Sequence, residues 1–140
     1  MVKKALIVII LLTGSCWLVF SQSNSLVQSV KRGEEVYKTI CFACHMDNGQ
    51  GQTGVYPPLA KSDFLLKDAN RAIGIVVNGL DGEIIVNGKI YNLDMPAQKQ
   101  LNDQQVADVL NFVRNSWGNK AKGITATQVK GKRHQAMGTR

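Results

Sequence analysis

The chain has 140 residues, 17 of them Lys or Arg and 10 Asp or Glu, for a formal net charge of +7 at pH 7. That length accommodates one folded domain and excludes a second core. The charge is unevenly placed: from Lys31 to Trp117 nine basic residues stand against ten acidic ones, whereas Lys120, Lys122, Lys130, Lys132, Arg133 and Arg140 follow with no acid at all.

At the amino terminus, Met1-Val2-Lys3-Lys4 precedes a nearly continuous apolar run from Ala5 to Phe20, after which Ser21 to Ser25 turns small and polar. That order is the order of a secretory signal. The run falls short of the ~20 apolar residues that span a bilayer, so cleavage after Ser21 is expected rather than anchoring. Cys16 raises the alternative of a lipid anchor, but Thr13 stands where an aliphatic residue is usual, and Cys16 is expected to leave with the signal. The expected organisation is a signal at 1–21, a folded domain at 22–119 and a basic tail at 120–140. The expected location is the periplasm, with tethering by an uncleaved signal or a lipid anchor as the alternative. Export also argues against a nucleic-acid partner.

Val36, Tyr37 and Ile40 repeat at helical spacing, and Glu34 and Glu35 suit a first turn, which predicts a helix from Val30 to about Cys44. Asp68 can cap a second helix carrying Ile73, Val76 and Val77, and Asn78-Gly79 would end it. Glu83 to Val86 and Lys89 to Tyr91 flank Asn87-Gly88, a strong hairpin-turn signal. Val106, Val109, Leu110, Val113 and Trp117 form one apolar stripe, and Asn102 with Gln105 makes a capping box for the helix that bears it. After Gly118-Asn119 the tail reads as loop, with at most one helical turn begun at Thr125 or Thr127.

Cys41-Phe42-Ala43-Cys44-His45 carries the chemistry. Two thiols three residues apart on a helical turn can reach the two vinyl groups at one edge of a porphyrin and form thioethers, which directs the following His45 at the iron. A zinc site would require about four ligands, and the only further histidine is His134 in the tail. A redox dithiol of the thioredoxin kind would be expected beside a βαβ unit, which this pattern lacks. One covalently attached haem c is therefore expected, and the small domain is expected to remain largely unfolded without it.

His45 leaves the opposite axial position open. Met46 adjoins His45 and cannot reach the far face, while His134 and Met137 belong to the tail. Met95 lies in the irregular stretch between hairpin and last helix, and Pro96 biases it away from helical geometry. It is the expected sixth ligand, against the plainer possibility of a core methionine. With both positions filled, the iron has no place for a substrate, so electron transfer rather than catalysis is expected. Gly49-Gln50-Gly51-Gln52-Thr53-Gly54 lacks the preceding strand and the following Lys-Ser/Thr of a phosphate cradle, and is read as close backbone packing around the haem edge.

Gly33-x-x-x-Tyr37, Cys41-x-x-Cys44-His45, Gly49-x-Gly51, Tyr56-Pro57-Pro58-Leu59, Met95-Pro96-Ala97 and the ending Leu101-x-Asp103 to Arg114-x-x-Trp117-Gly118-Asn119 together resemble single-haem class I cytochrome c domains. The resemblance covers about Val30 to Asn119, and is similar in particular to domains serving quinohaemoprotein dehydrogenases, terminal oxidases or copper nitrite reductases. It implies an all-α cytochrome c fold of three to five short helices around one haem, with the hairpin as a small insertion. It also implies that the Pro57 carbonyl accepts a hydrogen bond from His45 Nδ1 and that Leu59 lies against the haem. Gly33 and Tyr37 would pack where the first and last helices cross, with Phe112 as aromatic partner. Two departures stand out: no catalytic domain is fused to the chain, and the basic tail exceeds what a minimal cytochrome needs.

The expected activity is that of an electron carrier between redox proteins. The alternatives are a haem-bearing subunit of a dehydrogenase, oxidase or nitrite reductase and, further off, a five-coordinate haem enzyme. The tail either steers docking to an acidic partner or to an anionic membrane surface, or is a solvated extension; membrane contact is not required.

Overall fold

The computed structural model describes residues 25–138, with side chains through Gln135. The expected signal, its cleavage point and Cys16 lie outside the described residues. Helix α1 covers residues 25–45; it is α-helical to residue 36, π-helical over Tyr37–Cys41, and closes with the turn Phe42–His45. Next come α2 (Asp63–Lys67), α3 (Ala69–Asn78), strands β1 (Ile84–Val86) and β2 (Lys89–Tyr91), α4 (Asp103–Val113) and α5 (Ala126–Gly138). Among the described residues, five helices and one two-stranded antiparallel sheet give the all-α architecture that the resemblance implies.

Helix ends follow local chemistry. Asp68 accepts from the amides of Asn70 and Arg71 at 2.8 and 3.1 Å and starts α3, which Gly79 ends. At α4, Asn102 Oδ1 accepts from Gln105 N at 2.9 Å and Gln105 Oε1 accepts from Asn102 N at 3.0 Å, closing the capping box. In the hairpin, Asn87 and Gly88 both take positive φ, and Ile85 pairs with Ile90. The turn is fastened to α2 by a reciprocal pair, Asp63 N to Asn87 Oδ1 at 3.0 Å and Asn87 N to Asp63 Oδ1 at 2.8 Å.

Helix α1 crosses α4 at Gly33, where a β-carbon would stand 1.9 Å from the Asp108 carbonyl oxygen. Only a glycine admits that approach. Beside the crossing, the Tyr37 ring centroid lies 5.3 Å from that of Phe112 and 5.1 Å from that of Trp117. Trp117 was expected on the stripe of the last helix, yet α4 stops at Val113, and Trp117 reaches the cluster through a positive φ of 55°. On the other flank, Asp108 accepts from Ser29 Oγ at 2.5 Å, from Arg32 Nε and Nη2 at 2.7 and 2.8 Å, and from Gln104 Nε2 at 2.9 Å.

The tail departs from expectation. Instead of a loop with one turn it forms α5, which packs on α3 and α4. The cause is burial, not periodicity: Ile124 and Val129, at 4% and 0% exposure, belong to the core. Asn111 fixes the approach by accepting from Ile124 N at 2.7 Å and donating to Ile124 O at 2.9 Å. Arg133 closes the other end, its Nε 2.6 Å from Asp103 Oδ1 and its Nη2 2.6 Å from the Leu101 carbonyl.

Burying a Val or Ile side chain contributes ~1.5–3 kcal/mol, so deleting residues 120–140 should cost the holoprotein about 3 kcal/mol or more, ~10 °C or more in Tm. A thermal melt checks this, and an unchanged Tm would restore the solvated tail. A second prediction concerns acid. Burial alone would raise the Asp108 pKa, but hydrogen bonds from Arg32, Ser29 and Gln104 outweigh it and hold the carboxyl below its ordinary value. A depressed folded pKa stabilises above the unfolded value of ~3.9 and ceases to do so as pH falls through the folded one. Asp108→Asn should therefore lower stability by about 2 kcal/mol at neutral pH and flatten the loss of Tm below pH ~4, as measured by melts across that range.

Candidate haem site

A largely apolar cavity of about 1090 Å3, its open mouth included, occupies the space between the elements. Cys41, Cys44 and His45 reach it from the end of α1, Pro57 and Leu59 from the following loop, and Met95 from the segment that leads to α4. All six residues singled out in the sequence line this one cavity. Val109, Leu110 and Val113 of α4 form a further wall; Ile84, Val86 and Tyr91 of the hairpin also line it.

The π-helical stretch ends at Cys41, the first residue of the cysteine motif, and Phe42 N–H bonds back to the Tyr37 carbonyl. Such turns recur at functional sites, and nothing in the residue pattern announced this one. Met46, just past α1, takes a left-handed φ of 63°, and the Tyr37 hydroxyl donates to its carbonyl at 2.6 Å. His45 is buried, and its Nδ1 lies 3.1 Å from the Pro57 carbonyl oxygen. With Nδ1–H donating there, Nε2 carries the lone pair. Burial lowers the His45 pKa while the Pro57 bond opposes it, which favours the neutral imidazole that a metal requires.

Neither Cys41 nor Cys44 is in a disulfide. Burial, reinforced by Cys44, pushes the Cys41 thiol up to about 11, the reverse of the depressed value a reactive dithiol needs. Gly49 lies against the Trp117 ring and Gly51 against the carbonyls of Tyr56 and Pro57. Gly49 and Gly51 thus allow the close backbone packing that was expected of this stretch.

Met95 is held from behind. Its N–H donates to the Leu80 carbonyl at 2.8 Å and its carbonyl accepts from Leu80 N at 2.9 Å, while Gln98 N donates to the Val76 carbonyl at 2.9 Å. Three backbone bonds thereby pin the methionine segment to the end of α3. Gly79 makes the approach feasible: its φ is 83°, and a β-carbon there would stand 2.8 Å from the Met95 carbonyl oxygen. Asn119 acts similarly on the opposite loop, donating to Leu59 O at 2.9 Å and Val113 O at 2.6 Å and accepting from Lys61 N at 2.7 Å. Of the other axial candidates, His134 is exposed on α5 and the Met137 side chain lies outside the described residues. No described residues form a cluster of three or more His, Cys, Asp or Glu able to hold a metal ion.

These residues fit a haem: two thiols outside any disulfide and an oriented imidazole share a largely apolar cavity with a thioether. A mainly helical domain around such a cavity defines a covalent haem protein of the electron-transfer class. The sequence model of the Cytochrome c family matches residues 30–117; the chain belongs to that family and binds haem c covalently through Cys41 and Cys44. It is 36% identical over 137 residues to a cytochrome c-552 of Thermus thermophilus, covering 91% of this chain and 84% of that protein. It is also 38% identical over 97 residues to the cytochrome c subunit of a quinone alcohol dehydrogenase of Gluconobacter oxydans, covering 67% of this chain and 20% of that subunit. With the gluconate 2-dehydrogenase cytochrome c subunit of Pantoea cypripedii it shares 37% over 123 residues, 79% and 27% of the two chains. No helix among the described residues is long and apolar enough to cross a membrane.

Gly79→Ala should strain the backbone and push the Met95 segment off α3, at a cost of about 1–3 kcal/mol. Amide hydrogen exchange checks this: protection at Leu80 and Met95 should fall while that of α4 persists.

Proposed function

We propose that the chain is an exported, periplasmic carrier of single electrons whose haem is ligated axially by His45 and Met95, and that it is not itself an enzyme. Haem supplies an iron that cycles between two oxidation states. The protein's part is positional. Cys41 and Cys44 fix one porphyrin edge, and Pro57, by accepting from Nδ1, orients the His45 ring and enriches its Nε2. The Leu80 bonds aim the Met95 thioether, and the α4 and hairpin side chains, with Leu59, exclude water. With His45 and Met95 both holding the iron, no coordination position would remain for a substrate and the reduction potential would be raised. The supporting observation is that His45 and Met95, fifty residues apart in sequence, line one cavity.

On this reading, residues 1–21 are a cleaved signal, 22–119 the haem domain and 120–140 an appended basic segment. The partners are redox proteins. A second role, as the electron-transfer subunit of a dehydrogenase, is favoured by likeness to cytochrome subunits of which this chain spans 20% to 27%. Size-exclusion chromatography of a native extract separates carrier from subunit. Met95→Ala in the holoprotein should abolish the weak near-infrared sulfur-to-iron band and lower the potential; an unchanged spectrum would overturn the ligand assignment.

A further inference from the structure

A second cleft, of about 840 Å3 with its open mouth, lies between the end of α2, the end of α4 and the segment leading to α5. It shares no residue with the haem cavity. Four of its lining residues, Lys67, Arg114, Lys120 and Lys122, are cationic and none is acidic. The lysines are exposed, but Arg114 is only 5% exposed.

Arg114 Nη1 donates to the Leu65 carbonyl at 2.7 Å, and its buried Nε has no hydrogen-bond partner. No carboxylate among the described residues forms an ion pair with it. Asp68 acts on it from a distance, with a carboxylate already engaged by the amides of Asn70 and Arg71. A guanidinium stays charged throughout the physiological range, and a buried charge without a counter-ion is unfavourable. With Nη1 held by Leu65 and Nε enclosed, the guanidinium offers the cleft its charge rather than a complete donor fork, and lysine ammoniums add point charges around it.

We propose that this cleft binds a phosphate-type oxyanion, with Arg114 as the buried anchor and Lys67, Lys120 and Lys122 as the rim. Four cations and no acid suit a multiply charged phosphate better than a single carboxylate or chloride. Free phosphate and a phospholipid headgroup present the same chemistry.

The test is thermal unfolding of the full-length ferric holoprotein, with chloride exchanged for inorganic phosphate at constant ionic strength. Phosphate should raise the Tm of the wild type. Arg114→Met, which fills the same space without charge, should weaken phosphate affinity about tenfold or more. K120Q/K122Q leaves the interior untouched and should lose more of the phosphate effect than K130Q/K132Q, which removes the same charge outside the cleft. Absence of a phosphate-specific shift, equal loss in the two lysine pairs, or wild-type affinity in Arg114→Met would overturn the proposal. Sedimentation with phosphatidylglycerol vesicles distinguishes the sources: co-sedimentation that inorganic phosphate competes away assigns a lipid headgroup, and phosphate stabilisation without vesicle binding assigns the free anion.

Discussion

The approach of α1 to α4 at Gly33 is the constraint on which the rest of the molecule depends. With no side chain between the two backbones, the helices cross closely enough for Tyr37, Phe112 and Trp117 to pack tilted and edge-on on one side and for Asp108 to gather Ser29 and Arg32 on the other. A crossing fixed at that point also fixes where α1 ends. Cys41, Cys44 and His45 therefore line the same cavity as Val109, Leu110 and Val113 of α4, and the covalent attachment point inherits its position from the interhelical contact.

The remaining walls are held by hydrogen bonds more than by regular structure. Met95 stands in a non-helical segment, yet its backbone is paired with Leu80, and Gln98 is fastened to Val76. The far end of that segment is fastened as well, because Arg133 of α5 holds both the Leu101 carbonyl and Asp103. The appended helix thus braces α3 and the start of α4, the two elements between which the methionine segment runs. Groups held in advance need little reorganisation when charge arrives, which is the mechanical requirement of an electron carrier.

How much of this was legible in sequence depended on whether the cause was local. The Cys41-to-His45 motif, the Asp68 and Asn102 caps, the Asn87-Gly88 turn and the stripe of α4 rest on neighbours a few residues away, and each was readable. Met95 was singled out by eliminating competitors, and the fold brings it to the cavity that His45 also lines. Helix α2 was missed; its cap is Ser62, which accepts from Leu65 N at 3.1 Å, and five residues are too few to display a period. The π-helical stretch was missed because an inserted residue does not alter composition. Helix α5 shows almost no amphipathic pattern, since two buried residues, Ile124 and Val129, anchor the whole segment, and helices are often stabilised by tertiary packing rather than by propensity. Asn119 was quoted only as part of a motif, although its side chain ties three backbone groups together.

Ordering of the tail changes the meaning of its charge. Arg133 is paired with Asp103, and Lys132 contributes, behind the amides of Arg71 and Asn70, to holding Asp68 below the ordinary carboxylate range. Among the described residues, what remains is Lys120, Lys122 and Lys130, ammoniums carried on an ordered backbone. Fixed charges select an orientation of approach as well as raising its rate. Because Lys120 and Lys122 border the same cleft as Arg114, an oxyanion bound there would neutralise part of the field that an acidic partner meets. The occupancy of that cleft and the rate of electron transfer would then be linked through charge alone, with no movement of the haem site required.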